Sequence, residues 1–316
     1  MRLRRLPTAA AVCSLATLVP SLTGTASAGE GLPPSRLAVL AQGRWIPWWD
    51  SAHAPSAWPG QAGVVAGAVR WRGAAAGMAW GELEIAGRGE AWRLRLVLVR
   101  FDPARLRLTL IAASREEGTL ADWSLGRLPP GAVLGLNAGQ FTGGQPWGWL
   151  VEDGRVIQPP AAGALSMAFC IVRGGEVRFV PVTRIPPSGA GDVVEAFQSY
   201  PVLLREDGAV PTQLATPDMG VDLAHRDARI AIGQLRDGGV LVALTRFNAA
   251  GEVAGSLPFG PTVPEMAAVM GALGCREAMM LDGGISAQLV VRDASGALRR
   301  WRGWREVPLA LVGFPR

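Results

Sequence analysis

Short strand-like segments follow one another along most of the chain, with few helical periods between them. Apolar and β-branched runs recur from residue 64 onward and are separated by Gly, Pro, Asp and Asn, a pattern that predicts strands joined by turns. The predicted strands cover residues 64–71, 80–85, 92–96, 106–111, 132–136, 168–172, 177–180, 193–197, 229–232, 240–246 and 278–281. We therefore expect an α+β fold: a single domain with a mixed, mostly antiparallel β-sheet core and a few packed helices.

One helix is predicted clearly. Thr262-Val263-Pro264-Glu265 has the pattern of a capping box, with Thr262 as the N-cap and Glu265 reaching back to it. The residues that recur at helical spacing and should face the core are Met266, Val269, Met270 and Leu273. Gly274 should end the helix in a left-handed conformation. A strand over 278–281 follows at once, so the helix should pack on the sheet and deliver Asp282 to its edge.

The first 28 residues have the pattern of an export signal. Arg2, Arg4 and Arg5 are followed by a short apolar stretch and by Ala26-Ser27-Ala28, a small-residue cleavage site. A membrane anchor is disfavoured, because the apolar stretch is shorter than the ~20 residues that a span needs. We expect cleavage after Ala28, a periplasmic or secreted protein, and no membrane span.

Residues 29–62 form a leader rich in Pro and Trp, ahead of a domain expected over 63–316. Two interpretations of the leader are open: its aromatic rings stack on sugars, or they pack over the domain, which is the commoner arrangement. Its tryptophans are Trp45, Trp48, Trp49 and Trp58.

The net charge of the chain bears on which partners it can bind. Cleavage after Ala28 removes three arginines and no acid, so the formal net charge falls from +5 to +2 and nucleic acid is not an expected partner.

Cys13 is lost with the signal, while Cys170 and Cys275 lie among apolar neighbours and are expected to be buried free thiols. A disulfide between them remains an alternative, since export permits one. With two histidines and no HExxH or Walker motif, no cofactor is predicted and no motif indicates a divalent metal.

The most informative segment for function is residues 278–288, AMMLDGGISAQ. An apolar strand ends on Asp282 and is followed by Gly283, Gly284 and Ser286. One interpretation is a hairpin turn, because Asp-Gly is a common turn pair. The other is a carboxylate presented at the strand tip, beside glycines that let a ligand approach the backbone.

Three more segments place polar groups at the end of an apolar run. The candidate residues are Asn137 and Gln140, then Gln198 and Ser199, and then His225, Asp227 and Arg229. Turn or capping chemistry explains any one of these segments, but four of them favour a site. His225 suits proton transfer, with a hydrogen-bonded structural histidine as the alternative. Arg229 enters an apolar strand, so we expect it to meet a carboxylate or an anionic ligand such as phosphate.

These segments together resemble the phosphodiester glycosidase family. The resemblance runs from residue 64 to the C-terminus and rests on motifs in matching order and spacing: Leu136-Asn137-Ala138-Gly139, Pro146-Trp147-Gly148, Gln198-Ser199-Tyr200-Pro201, Arg229-Ile230-Ala231-Ile232-Gly233 and Leu281-Asp282-Gly283-Gly284-Ile285-Ser286. It implies hydrolysis of a sugar-1-phosphodiester at the sugar side, leaving the phosphate on its other partner. One departure is Ile285, where much of the family has a third glycine.

The resemblance also implies roles for individual residues. Asp282 would act at the anomeric carbon or activate water, His225 would donate a proton or contact the phosphate, and Arg229 would hold the phosphate. The residues expected to bind substrate are Asn137, Gln140, Trp147, Gln198, Ser199, Asp227, Gly283, Gly284 and Ser286. The expected substrate is a carbohydrate phosphodiester from cell-envelope or extracellular glycans, such as an exopolysaccharide.

Two other functions stay open at this point. The first is a phosphodiesterase that cuts a P–O bond with a divalent metal held by Asp282 and Asp227. The second is a non-catalytic protein that binds glycans or assists polysaccharide export, which the Trp-rich leader and Ile285 favour.

Overall fold

The computed structural model describes residues 34–88, 92–112, 114–116, 119–121, 123–185, 190–247 and 257–316. The predicted signal, residues 1–28, lies outside the described residues, and so does the start of the leader. The described residues, from 34 to 316, belong to one compact unit. No helix in the described ranges has the length and apolar character needed to cross a bilayer.

Most described elements are strands. In chain order they are β1 Arg36–Ala41, β2 Arg44–Asp50, β3 Arg70–Gly73, β4 Ala79–Gly87, β5 Arg93–Phe101, β6 Leu106–Ala112, β7 Ser114–Glu116, β8 Thr119–Ala121, β9 Leu134–Asn137, β10 Gln140–Thr142, β11 Gln145–Trp147, β12 Leu150–Glu152, β13 Arg155–Gln158, β14 Met167–Val172, β15 Val177–Pro181, β16 Val193–Ser199, β17 Val202–Leu204, β18 Ile230–Leu235, β19 Val240–Phe247, β20 Cys275–Met280, β21 Leu289–Arg292, β22 Leu298–Trp301 and β23 Leu309–Pro315. The α-helices described are α1 Gly63–Ala66 and α2 Val263–Ala272.

Three larger sheets organise these strands. The first has nine strands in the order β17-β20-β18-β19-β5-β4-β1-β2, with β3 paired to β4. The second has the order β13-β12-β16-β14-β15, and the third has β22-β21-β9-β23-β6. Two small hairpins, β7-β8 and β10-β11, lie apart from them.

All the described strand pairings are antiparallel. The prediction of a mostly antiparallel β-rich fold with few helices is therefore confirmed. The parallel pairing that a mixed sheet requires is not found among the described strands, and the core is divided among several sheets. Half of the described pairings join strands that are consecutive in the chain, as antiparallel hairpins allow, whereas parallel neighbours need long crossover connections.

The nine-stranded sheet separates two apolar layers. Alternate residues of its central strands point to opposite faces, as the strand period requires. Val97 and Val242 belong to the layer shared with the other two large sheets, whereas Leu96 and Ala243 belong to the layer that packs under α2. The functional residues lie where this sheet meets the other two.

Helix α2 is capped as predicted. The Thr262 hydroxyl accepts from the Glu265 backbone N–H at 3.4 Å, and the Glu265 carboxylate accepts from the Thr262 N–H at 2.8 Å. Leu273 is the C-cap, and Gly274 follows with φ of +92°. The Glu265 carboxylate also binds the Arg226 guanidinium at 2.7 and 3.0 Å, so the helix start anchors the segment that contains His225.

The N-terminal part of the domain differs from the strand predictions. Residues 63–66 form the short helix α1, so the predicted strand over 64–71 is wrong in its first half and survives only as β3. Periodicity alone does not distinguish a short buried strand from a buried helical turn. Strands β1 and β2, inside the Pro/Trp-rich leader, were not predicted, and β1 pairs with β4 of the large sheet.

The leader tryptophans and the two cysteines have packing roles in the structure. Trp48 and Trp58 pack against each other with ring centroids 6.3 Å apart, beside the layer under α2. Cys170 and Cys275 are buried and free, as expected. Burial raises the pKa of both thiols, that of Cys170 to about 12, so neither is a ready nucleophile.

Candidate active site

The ends of three strands from three sheets meet at one place. The backbone N–H of Asp282, after β20, donates to the Gly139 carbonyl after β9 at 2.9 Å. The Ser199 hydroxyl, at the end of β16, donates to the Met280 carbonyl at 2.5 Å. Three of the four segments identified from sequence are therefore held together by hydrogen bonds.

Asn137 fixes the backbone around the Asp282 tip. Its side chain is fully buried and donates to the Asp282 carbonyl at 2.8 Å. Its side-chain oxygen accepts from the Gln288 N–H at 3.0 Å. One amide thus holds both ends of residues 282–288, which makes Asn137 a positioning residue and leaves it few free hydrogen-bonding positions for a sugar.

The Asp282 carboxylate lies in a partly buried, charged environment. Burial raises its pKa, while a hydrogen bond from the Ser286 hydroxyl and the positive charge of Arg305 act in the opposite direction. The negative charge of Asp227 raises the pKa further. A partly desolvated carboxylate next to a second carboxylate and a cation is typical of a reactive site.

Gly283 and Gly284 allow the fourth segment to approach. A Cβ at Gly283 would lie 2.5 Å from the Ala228 carbonyl oxygen, and one at Gly284 would lie 2.9 Å from the Asp227 carboxylate. Gly284 has φ of +56°, and its N–H donates to the Ala228 carbonyl at 2.8 Å. These contacts bring residues 225–229 against the Asp282 tip.

His225 and Asp227 form a pair at the surface of the site. The His225 Nε2 lies 3.8 Å from an Asp227 carboxylate oxygen, and the histidine side chain is 57% exposed. The other Asp227 oxygen accepts from the Ala228 N–H at 2.8 Å, which orients the carboxylate. An exposed imidazole beside an oriented carboxylate is suited to moving a proton.

The Arg229 side chain is hydrogen-bonded to backbone carbonyls. Its Nε donates to the Pro261 carbonyl at 3.0 Å, and one terminal nitrogen donates to the His225 carbonyl at 2.6 Å. Burial lowers its pKa, and the negative charge of Asp227 opposes that shift. The sequence led us to expect a carboxylate or an anion as its partner, but the hydrogen-bonding partners in the structure are carbonyls. A phosphate-binding role for Arg229 stays a prediction.

Gln198 is also occupied by the backbone. Its side-chain oxygen accepts from Trp149 N–H at 2.5 Å and from Ala161 N–H at 2.8 Å. Its side-chain nitrogen donates to the carbonyls of Ala161 and Leu165 at 3.2 and 3.0 Å. All four hydrogen-bonding positions are thus used, so Gln198 holds residues 161–165 in place and has no group left for a sugar.

The β10-β11 hairpin lies over the end of β16. Gln140 donates to the Tyr200 carbonyl at 3.0 Å and contacts the Ser199 hydroxyl at 3.4 Å. Trp147, opposite Gln140 in the hairpin, packs edge-on against the Tyr200 ring with centroids 5.6 Å apart. Both predicted substrate-binding residues therefore lie beside the site, and contact with substrate stays a prediction for each.

Sequence reasoning missed the loop after β22. Residues 302–306 pack on residues 285–288, and Arg305 contributes its charge to the surroundings of Asp282. The buried Arg246 and Gln288 hold this loop through backbone carbonyls. Nothing in the local sequence distinguishes Arg305 from the other arginines of loops and strand ends, so only the fold identifies it.

No group of three or more His, Cys, Asp or Glu side chains within the described ranges is arranged to hold a metal ion. Asp282 and Asp227 are close enough for their charges to interact, and these are the two carboxylates of the metal-dependent alternative.

Comparison with known proteins supports the sequence resemblance. The sequence profile of the family described as "phosphodiester glycosidase" matches residues 130–312, which contain all four strand-tip segments and the loop with Arg305. No curated protein sequence matches the chain significantly.

Two solved structures resemble the fold. One is the zebrafish N-acetylglucosamine-1-phosphodiester alpha-N-acetylglucosaminidase catalytic domain, auto-inhibited by its pro-peptide: TM-score 0.52, 18% identity, 78% of this chain and 82% of that chain covered. The other is a hypothetical protein from Synechocystis: TM-score 0.51, 15% identity, 89% and 68% covered. At such identities the likeness shows the fold alone. Because the family profile covers more than half of the sequence, the chain belongs to the phosphodiester glycosidase family.

Proposed function

We propose that this protein hydrolyses a sugar-1-phosphodiester at the bond between the sugar and the phosphate, releasing the sugar and leaving the phosphate on its other partner. The observation that carries the proposal is the Asp282 carboxylate. It is partly buried at a strand tip, hydrogen-bonded by Ser286 and next to the charges of Arg305 and Asp227. Family membership supports the same reaction class.

Asp282 acts at the anomeric carbon in this proposal. Cleavage of the glycosyl–phosphate bond builds positive charge on the sugar ring, and an adjacent carboxylate stabilises that charge or directs a water molecule to it. The hydrogen bond from Ser286 and the charge of Arg305 favour the ionised carboxylate that this role needs. Burial strengthens its interaction with the developing cation, because the local dielectric is low.

His225 and Asp227 assist the departing phosphate. The group that leaves the sugar is a phosphate monoester, which is a good leaving group and needs charge stabilisation more than a strong acid. The His225 imidazole is exposed and lies 3.8 Å from the Asp227 carboxylate, so it can donate a hydrogen bond or a proton to a phosphate oxygen. Arg229 supports this arrangement by holding the His225 carbonyl.

The setting of the reaction is proposed from the N-terminal sequence. Residues 1–28 have the pattern of a cleavable export signal, so we place the mature protein in the periplasm or outside the cell. Its substrates would then be phosphodiester-linked sugars of cell-envelope or extracellular glycans. Mass spectrometry of the N-terminus of exported protein tests this part, with Gly29 expected as the first residue.

The test of the reaction is sugar release from α- and β-linked sugar-1-phosphodiesters in ¹⁸O-labelled water. Hydrolysis at the sugar side places the label on the released sugar, whereas P–O cleavage by a metal-dependent phosphodiesterase places it on the phosphate. Chelator treatment adds a second distinction, because only the phosphodiesterase requires a metal. Label in phosphate with loss of activity in chelator would replace the proposal by that alternative.

A non-catalytic glycan-binding protein predicts a different result. Neither wild type nor Asp282→Asn would release sugar, and both would bind glycans equally. The Trp-rich leader favoured this function in sequence, but Trp48 and Trp58 pack against each other and beside the core. Sugar release by wild type, absent in Asp282→Asn, excludes it.

A further inference from the structure

The loop formed by residues 302–306 is fixed by its backbone against the Asp282 tip. The N–H groups of Trp304 and Arg305 donate to the Ile285 carbonyl at 2.7 and 3.3 Å. The Arg305 carbonyl accepts from Gln288 at 3.2 Å, and the Arg302 carbonyl accepts from Arg246 at 2.9 Å. A loop held at both ends in this way presents its side chains in a defined position.

Close packing explains why the loop follows this path. A Cβ at Gly303 would lie 2.8 Å from the Ile285 carbonyl oxygen and within 3.3 Å of two further carbonyls. Glycine is therefore required for the loop to approach residues 285–287. At the end of the loop, the Glu306 carboxylate lies 3.5 Å from the Arg127 guanidinium, in the short helical turn that precedes β9.

The backbone of Arg305 is hydrogen-bonded, whereas its side chain is available to bind a ligand. It is exposed, and within the described part of the chain its guanidinium makes no hydrogen bond or ion pair, although its charge acts on Asp282. Arg229, the arginine predicted to hold the phosphate, donates to two backbone carbonyls. A planar guanidinium that is free at the edge of the site is the better match for phosphate oxygens.

Two apolar side chains border Arg305. Trp304 is 55% exposed and Ile285 is 41% exposed, and the hydrogen bond between their backbones places them next to each other. An exposed indole beside a cation suits a phosphate ester whose second group is a ring that stacks.

We infer that residues 302–306 form the subsite for the phosphate and its ester group, with Arg305 binding the phosphate oxygens and Trp304, beside Ile285, stacking on a ring-bearing ester group. This inference rests on the proposed function, since it assigns the part of the substrate that remains after the sugar leaves. The substrate class is thereby narrowed to sugar-1-phosphodiesters whose other ester group carries a ring.

Binding of product analogues tests the subsite without turnover. Methyl phosphate and benzyl phosphate are titrated by calorimetry into wild type and the variants Arg305→Gln, Trp304→Ala and Arg300→Gln. Arg300 is an exposed arginine of β22 and serves as the matched control for loss of one positive charge. Thermal unfolding of each variant checks that the fold is intact.

The subsite predicts a distinct pattern across the variants. Arg305→Gln should weaken both ligands by about tenfold, the effect of one charge-assisted phosphate contact. Trp304→Ala should weaken benzyl phosphate about fivefold and methyl phosphate by less than about twofold. Arg300→Gln should match wild type for both ligands.

The outcomes separate this inference from the proposed function. Equal affinities of wild type and Arg305→Gln, or no binding by wild type at millimolar concentrations, would overturn the subsite even if sugar release is observed. Equal preference for benzyl over methyl phosphate in wild type and Trp304→Ala would overturn the stacking role. The expected binding pattern without any sugar release would retain the phosphate ester subsite and reject the hydrolase.

Discussion

The side-chain amide of Asn137 donates to the backbone carbonyl of Asp282 at 2.8 Å, across 145 residues of chain. The same amide accepts from the Gln288 N–H, so it holds the whole tip that carries the carboxylate. The position of the reactive group is therefore set by a side chain on a different sheet.

Asn137→Asp removes the donor of this pair and keeps the acceptor. We expect the free energy of unfolding to fall by about 2–3 kcal/mol, because a buried carbonyl loses its partner and a carboxylate replaces a buried amide. Sugar release should fall as the tip shifts. Urea unfolding measures the change in stability. The control is Gln145→Glu in the half-exposed hairpin, which should lower the free energy of unfolding by less than ~0.5 kcal/mol. Equal stabilities of the two variants would contradict the positioning role.

Asp282→Asn should abolish sugar release and leave the fold intact. Burial raises the pKa of this carboxyl, so removing its charge should not lower stability at neutral pH. For the wild type, the acid limb of the pH–activity profile should have its midpoint above the ordinary aspartate value of about 4, because activity needs the ionised form. Kinetics and thermal unfolding measure these effects. Turnover by Asp282→Asn near the wild-type level would remove Asp282 from the reaction.

Arg229→Lys distinguishes a phosphate ligand from a positioning residue. A lysine cannot reproduce the two hydrogen bonds to the carbonyls of Pro261 and His225. We expect kcat/KM to fall by about tenfold on a sugar phosphodiester and on a neutral aryl glycoside of the same sugar alike. A loss confined to the phosphodiester would instead assign the phosphate to Arg229 and weaken the role inferred for Arg305.

Glu195 should make stability depend on pH. Burial raises its pKa to about 7, against hydrogen bonds from Thr109 and Leu110, and nearby Asp153 and Glu152 add to the increase. The pKa of Glu195 is higher in the folded state than in the unfolded state, so its protonated carboxyl group contributes to the free energy of unfolding at low pH. That contribution is lost as the pH rises through 7. Between pH 5 and pH 8 the loss should be roughly 2 kcal/mol.

Glu195→Gln removes this titration. The difference in unfolding free energy between wild type and the variant, measured by urea titration at both pH values, isolates the Glu195 contribution from other groups. Glu176→Gln, at an exposed position, is the control and should leave the pH dependence unchanged. A difference between wild type and Glu195→Gln that is constant with pH would contradict the assignment.

The parts of the fold that sequence predicted are those with local signals. The capping box at Thr262 and the glycine after Leu273 define α2 because their partners lie within three residues. Strands β1 and β2 escaped prediction. Pro47 and the clustered tryptophans obscure the alternation of β2, and β2 joins the sheet through β1, which pairs with the distant β4.

The candidate site also contains residues that local sequence patterns predicted and residues that only the fold identifies. Asp282 with its two glycines was found from sequence, because a polar residue and glycines at the end of an apolar strand are a local pattern. Other features depend on contacts between distant segments. These are the hydrogen bonds of the Gln198 side chain to the backbone of residues 149–165 and the approach of Arg305 to Asp282. Such contacts leave no trace in the spacing of residues along one chain.

Strand β9, which carries Asn137, lies between β21 and β23, and its pairing with β23 places Ala310 opposite Asn137. Assembly of the site must therefore wait for the last strand to be synthesised and to dock across more than 170 residues. Long-range closure of this kind is slow. A chain truncated before Leu309 would retain every polar residue assigned to the site and yet lack the strand that holds Asn137 beneath Asp282.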